Sequence, residues 1–312
     1  MPKLPNKEFR KMVPLLREEG FYESEKEKKI FWPQYTLAQI DEARTRLMFI
    51  RDAVDECAYF ELKGKTGRPL TDPKSLAKAV LVCESFGFTE REAEGWLEIL
   101  GPYVGIRKKL DDKTIGDAYD KIEVLQIIKQ IFDKTKSSDG INSGDGTKLE
   151  TSRKQNYELN KKYGEWLTSI VDSREIVQAF SLFEHEIKAM HHLIYEVKGE
   201  SLRLDAGFVD RLLVKKMVDN NIIPYVFPKK NIDLNGDLAW KNMYLELYYD
   251  VMQWLTEYHQ RSHCESFHSA FKRRFGIITK RRPMCTLVQV ATRIILHNRR
   301  RSYYFSLLEK QA

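Results

Sequence analysis

The sequence predicts an α/β protein: a mixed sheet with helices on both faces, preceded by an all-α N-terminal domain. Three observations predict it. From about residue 37 to residue 134 the apolar residues recur at helical spacing between helix start and stop signals. Beyond Gly140 the pattern changes to short β-branched and aromatic runs that alternate with helical stretches. The chain has 312 residues, 42% hydrophobic and 12% aromatic, which is enough for a large core in two domains.

Residues 1–35 mix charges with Pro and aromatic residues, so an arm with one short helix is expected. Ile40, Ala43, Leu47, Ile50 and Val54 then mark a helix over residues 37–59. Gly64-Lys65-Thr66-Gly67-Arg68-Pro69 reads as a flexible basic loop, either a polar linker or a DNA-backbone contact. Pro73 opens a helix whose stripe of Leu76, Ala79, Val80 and Cys83 ends at Gly87. Thr89-Glu90-Arg91-Glu92 is a capping box for a second helix through Trp96 and Leu100, closed by Gly101-Pro102. The two form a helix-turn-helix candidate or a plain αα-hairpin, since no base-reading side chain is identifiable. A helix over residues 114–134 completes an N-terminal domain of residues 1–136, and Lys136-Ser137-Ser138-Asp139-Gly140 marks the boundary with a second domain, residues 137–312.

In the second domain, residues 141–149 form an extended stretch centred on Asp145. Residues 166–171 and 175–183 read as a hairpin around Asp172-Ser173-Arg174. A helical connection over residues 186–197 leads to a strand at 201–204 that runs into Asp205-Ala206-Gly207. A helix at 209–220, a strand at 222–228, a long helical region from Leu238 and a final helix at 286–301 follow. Strand, two strands, helix, strand, helix, strand, helix is the order of the ribonuclease-H-like fold.

Charge is distributed unevenly. The net charge is +7, but residues 258–312 hold 12 Lys and Arg against Glu265 and Glu309, so this tail carries +10 and the rest −3. A C-terminal cationic surface suits a polyanion such as nucleic acid, because phosphate neutralisation releases counterions. An anionic membrane surface fits less well, since aromatic residues interrupt the Arg residues without a long Lys block. Cys57, Cys83, Cys264 and Cys285 are scattered without CxxC spacing, as in a reducing compartment. No apolar run reaches the length of a membrane span and no signal peptide opens the chain, so a soluble cytoplasmic, nucleoid-associated protein is expected.

If residues 258–272 form one helix, Tyr258, Arg261, Glu265 and Lys272 fall within about 60° of one another, while Phe267, Ala270 and Phe271 face the other way. One carboxylate among cations suits a phosphate held by metal ions, although an ordinary surface helix with an i,i+4 Arg–Glu pair has the same pattern. Asp145 lies on the first strand, Asp205 at the end of the fourth and Glu265 on a later helix, at equal intervals of 60 residues. If the first and fourth strands lie side by side, the three acids converge, and a divalent cation is needed to neutralise them. Mg²⁺ suits such a set, and two ions about 3.5–4 Å apart serve an in-line phosphoryl displacement.

Asp145-Gly-Thr, Leu204-Asp205-Ala-Gly-Phe-Val-Asp210 and Tyr258-x2-Arg261-x3-Glu265-x6-Lys272 resemble the triad and the tyrosine-arginine-glutamate-lysine signature of prokaryotic insertion-sequence DDE transposases. Gly67-Arg-Pro, Ser85-Phe-Gly-Phe-Thr-Glu-Arg-Glu and Leu110-Asp-Asp-Lys-Thr-Ile are similar to that family's N-terminal helical domain. The resemblance, over roughly residues 65–300, implies Mg²⁺-dependent cleavage of transposon ends and strand transfer into target DNA, with Mn²⁺ as a substitute. It implies Asp145, Asp205 and Glu265 as metal ligands, and Tyr258, Arg261 and Lys272, with the adjoining Arg273 and Arg274, as DNA contacts. It also implies double-stranded DNA as partner and a homodimer that brings two ends together.

There are departures and alternatives. The 60 residues between Asp205 and Glu265 leave little room for the β-rich insertion that relatives often carry, and His185-Glu186 stands where they have His-Asp. His259, His263 and His268 lack partners for a zinc set and read as surface or core histidines. Trp240 and Trp254 read as core or as base-stacking rings, and Arg299-Arg300-Arg301 as a solvated helix end or a phosphate contact. The competing function is a non-catalytic DNA-binding protein derived from such an enzyme, acting as a repressor or architectural factor.

Overall fold

The computed structural model describes residues 6–22, 30–58, 71–152, 163–197 and 199–310. In chain order the described elements begin with helices α1 (Asn6–Glu18), α2 (Trp32–Ile40), α3 (Glu42–Asp55), α4 (Pro73–Phe86), α5 (Glu90–Val104), α6 (Asp112–Ala118) and α7 (Ile122–Thr135). Strands β1 (Ile141–Glu150), β2 (Gly164–Asp172) and β3 (Val177–Leu182) follow, then α8 (Glu186–Leu193), β4 (Ser201–Leu204), α9 (Arg211–Asp219) and β5 (Ile223–Val226). The chain ends in α10 (Leu238–Tyr249), α11 (Val251–His259), α12 (Ser262–Phe275) and α13 (Pro283–Glu309). Among the described residues no helix is long and apolar enough to cross a membrane.

Contacts divide the chain into two units that interleave in sequence, where the sequence reading drew one boundary at 136/137. The first gathers the described residues within Met1–Ile30, Ser137–Leu149 and Glu165–Ala270; the second gathers those within Phe31–Lys136, Glu150–Gly164 and Phe271–Ala312. Helix α1 belongs to the first unit because Phe9 packs on Phe227 and Tyr248, and Asn6 bonds both the Ile232 carbonyl and the Tyr248 hydroxyl. Helix α13 belongs to the second because its buried Arg293 pairs with buried Glu84 of α4 at 2.7 Å.

The first unit is built on a five-stranded sheet in the order β3-β2-β1-β4-β5. Strands β1, β4 and β5 are parallel, and β2 and β3 form the antiparallel hairpin. That hairpin turns where it was expected because the buried Asp172 carboxylate accepts the Arg174 and Ile176 N–H groups at 3.0 and 2.8 Å. Strand β4 is buried at every position, including Arg203. Arg203 is tolerated there because it donates to the Ser201 hydroxyl and the Glu257 carboxylate and lies over the Tyr225 ring. These bonds tie α11 to the middle of the sheet.

The second unit is helical over α2–α7 and α13. Asp72 caps α4 through the Lys74 and Ser75 N–H groups, and α4 closes at Gly87 with φ +72°. The Thr89–Glu92 capping box opens α5. That helix runs through Gly101-Pro102, the expected stop, because a proline here removes one backbone hydrogen bond and the chain reverses only at Gly105, φ +77°. The expected helix at 37–59 is two helices meeting at Asp41, and the one at 114–134 is broken where Tyr119 turns inward to bond Glu84. The basic loop at residues 64–69 lies outside the described residues.

Candidate active site

The β1–β4 register brings two acids level. Ile141 pairs with Ser201, Asn142 with Leu202 and Ser143 with Arg203, a constant offset of 60 residues. Two residues further along, that offset sets Asp145 beside Asp205, which remains extended at φ −75°, ψ 176°. Residues at the same level of adjacent parallel strands point to the same face, with backbones about 4.8 Å apart. The equal spacing seen in the sequence is therefore the register of the sheet.

The glycines around Asp145 explain the opposite face. A Cβ on Gly144 would lie 2.8 Å from both Leu204 and Met190, and one on Gly146 would lie 2.8 Å from the Glu186 Cβ. Helix α8 thus packs closely over the two glycines, while Asp145 points to the other side of the strand, where α12 lies. His185-Glu186 acts here through packing of Glu186 on Gly146.

Helix α12 carries Glu265 and anchors itself by its inner edge. Phe267 is fully buried and Phe271 nearly so. His268 Nε2 stands 2.8 Å from the Ser169 hydroxyl of β2, and His268 Nδ1 stands 4.0 Å from Asp145 Oδ2. His268 is the neighbour of the site that sequence reasoning left as a surface or core histidine. The available signal was its helical phase, one residue after Phe267 and three after Glu265.

Each aspartate commits one oxygen to the backbone that follows it. Asp145 Oδ1 accepts from Gly146 N–H at 2.9 Å, and Asp205 Oδ1 from Gly207 N–H at 2.7 Å. The second oxygen of each is left as a donor for a cation. Glu265 accepts from Arg261 at 2.5 Å. The Asp145 carboxyl is pushed up to about 6, first by burial and further by the charges of Asp205 and Glu265, against the Gly146 N–H and Arg261. The three acids therefore share one field. Among the described residues no three His, Cys, Asp or Glu side chains close into a ready-formed metal cluster. In chemistry the set nevertheless fits a hard divalent cation: three carboxylates, each a hard oxygen donor.

The cationic stripe differs from the expected single helix. The chain breaks at Gln260-Arg261, so Tyr258 closes α11 and Glu265 opens α12. Arg261 keeps its pairing from the turn. The Tyr258 ring is buried against Trp254 and Phe227, and its hydroxyl is hydrogen-bonded to Arg261. Tyr258 therefore holds Arg261 in place instead of offering a ring to a ligand. Its phenol is pushed up to about 12 by burial, partly offset by Arg261. Lys272, Arg273 and Arg274 are exposed at the end of α12, in the second unit, and Arg274 pairs with Glu42 at 2.7 Å.

The remaining candidates are structural. His259 stacks on Tyr22 and bonds its hydroxyl, and His263 is buried. Trp240 and Trp254 are buried core residues. Arg299-Arg300-Arg301 lies within α13 and not at a helix end, since that helix continues to Glu309.

A mixed sheet with two aspartates level on adjacent parallel strands, and a glutamate beside an arginine on the helix that crosses them, defines a carboxylate site suited to phosphate chemistry. The transposase DDE domain matches residues 143–298, half of the chain, and the protein belongs to that family of insertion-sequence transposases. Over 304 residues it is 25% identical to a probable transposase for insertion sequence element ISA1214 of Archaeoglobus fulgidus, covering 90% of this chain and 91% of that one. No solved structure matches the chain.

Proposed function

We propose that this transposase cleaves DNA at the ends of its element and joins the freed 3′-hydroxyl to target DNA, with Asp145, Asp205 and Glu265 as ligands of two Mg²⁺ ions, for which Mn²⁺ would substitute. The observation that carries this reading is the shared β1–β4 register, which sets Asp145 and Asp205 side by side under the helix that bears Glu265. When bound, such ions lower the pKa of the attacking water or hydroxyl and neutralise charge on the leaving oxygen.

The chain's own residues prepare the site. The Gly146 and Gly207 N–H groups hold each aspartate by one oxygen and aim the other outward. Arg261, held between Tyr258 and Glu265, orients the glutamate and presents a guanidinium to a phosphate oxygen. Lys272, Arg273 and Arg274 would add backbone contacts. The sheet with its helices is read as a ribonuclease-H-like catalytic domain, and the helices of the N-terminal region as the part that grips DNA. The working form would be a dimer on double-stranded DNA in the cytoplasm.

The test is nicking of a cognate end in Mg²⁺ by wild type and Glu265→Gln. The variant should lose at least about a hundredfold in rate, since a metal ligand is removed. Equal rates would overturn the reading and favour a DNA-binding protein without catalysis.

A further inference from the structure

In the second unit, one carboxylate oxygen is shared by three arginines. Glu42 Oε1, at the start of α3, accepts from Arg46 one turn on, pairs with Arg274 at 2.7 Å and faces Arg300 at 3.8 Å. Arg300 also donates to the Tyr35 hydroxyl at 3.3 Å. Next to it, Arg299 lies between the Phe49 and Tyr303 rings, and its buried Nε has no hydrogen-bond partner among the described residues. Asp41, which accepts from Tyr303, is the other acid facing this cleft.

The charge is out of balance. Four guanidiniums face two carboxylates, and most of their N–H groups point at a single oxygen that can accept only two or three bonds. A salt bridge built for stability needs one arginine for Glu42, and Arg46, the most buried of the three, already supplies it. Arg274 and Arg300 keep about a third of their side chains exposed, so an incoming ligand reaches them without opening the fold. Planar forks converging from a helix and a neighbouring segment match a tetrahedral anion with several oxygens better than a single carboxylate oxygen.

We infer that Arg274, Arg299 and Arg300 form a seat for one backbone phosphate of nucleic acid, with the Glu42 carboxylate holding the place of that phosphate when no nucleic acid is bound. The seat is a second contact on DNA, separate from the carboxylate site. It rests on the reading of the protein as a DNA-acting enzyme. Glu42 acts as an internal competitor, so binding exchanges one anion for another and DNA gains only the difference. Arg46 stays on Glu42 through the exchange and keeps α3 in place.

The test uses the full chain, a fluorescein-labelled random-sequence duplex and EDTA, with binding followed by anisotropy from 50 to 200 mM salt. Each phosphate contact contributes about 0.9 to the slope of log affinity against log salt, a loss of about 3.5-fold over that range. Arg300→Gln should remove that contribution, and Arg300→Lys should restore most of it. Glu42→Gln should act in the opposite direction, tightening binding several-fold and steepening the slope. A wild-type slope in both Arg300→Gln and Glu42→Gln, with unchanged thermal melts, overturns the seat. Weaker binding by Glu42→Gln also overturns it, because Glu42 would then be supporting the site. The same titration in a Glu265→Gln background separates the two ideas: failure of cleavage chemistry leaves the salt slopes unaltered.

Discussion

Replacing Asp145 by Asn should make the protein more stable while removing activity. The Asp145 carboxyl is raised from 3.8 to about 6, chiefly by burial and then by Asp205 and Glu265. An acid whose value is raised on folding binds its proton more tightly when folded, so stability is highest below about pH 4 and falls until about pH 6. Above that the loss is constant. From 3.8 to about 6 the cost is about 3 kcal/mol, and the side chain is only 19% exposed, so most of it survives solvent screening. Asparagine removes the charge and keeps an oxygen for the Gly146 N–H. Thermal melts in EDTA from pH 4 to pH 8 should show the two proteins converging near pH 4. Above pH 6 the variant should lead by about 5–10 °C, at the usual 2–4 °C per kcal/mol for a unit of this size. A variant equal to or below wild type at pH 7.5, or a gap independent of pH, would refute the argument. Added Mg²⁺ should raise the wild-type melt and narrow the gap, because a ligand that binds only the folded state stabilises it.

Other substitutions test the surrounding frame. Gly146→Ala places a Cβ 2.8 Å from that of Glu186 and should destabilise by about 1–3 kcal/mol, read by urea denaturation. Gly144→Ala meets only the ends of Leu204 and Met190 and should cost less in the same assay. Arg293→Leu leaves Glu84 buried with Tyr119 and Gln289 as its remaining donors, and should destabilise by about 3–5 kcal/mol. The double variant Glu84→Leu/Arg293→Leu should recover part of that loss, since no charge then remains buried.

The acids were legible because their chemistry is local to short motifs and the offset between them equals the sheet register. Strand β4 was found at its observed bounds, since a four-residue apolar run before Asp-Ala-Gly leaves little choice. The turn of the hairpin was found for a related reason: its Asp satisfies its own backbone. The single helix drawn through residues 258–272 failed because periodicity continues across a short break, and Gln260-Arg261 carries neither Gly nor Pro to announce one. His268 passed unnoticed because its partner Ser169 lies 99 residues away.

By itself the sequence determined the local matters: caps, turns, alternation in the strands, and which acids and cations sit on which element. Those properties depend on neighbours within a few residues. Tertiary structure alone decided which distant elements share a core. It put α1 with the sheet through Asn6 and Phe9, put α13 with the helices through Arg293 and Glu84, and turned Tyr258 inward to hold Arg261. It also gathered Arg46, Arg274 and Arg300 on one oxygen of Glu42. Such pairings depend on burial across tens to hundreds of residues, where a buried charge requires a partner and the linear pattern does not say which one.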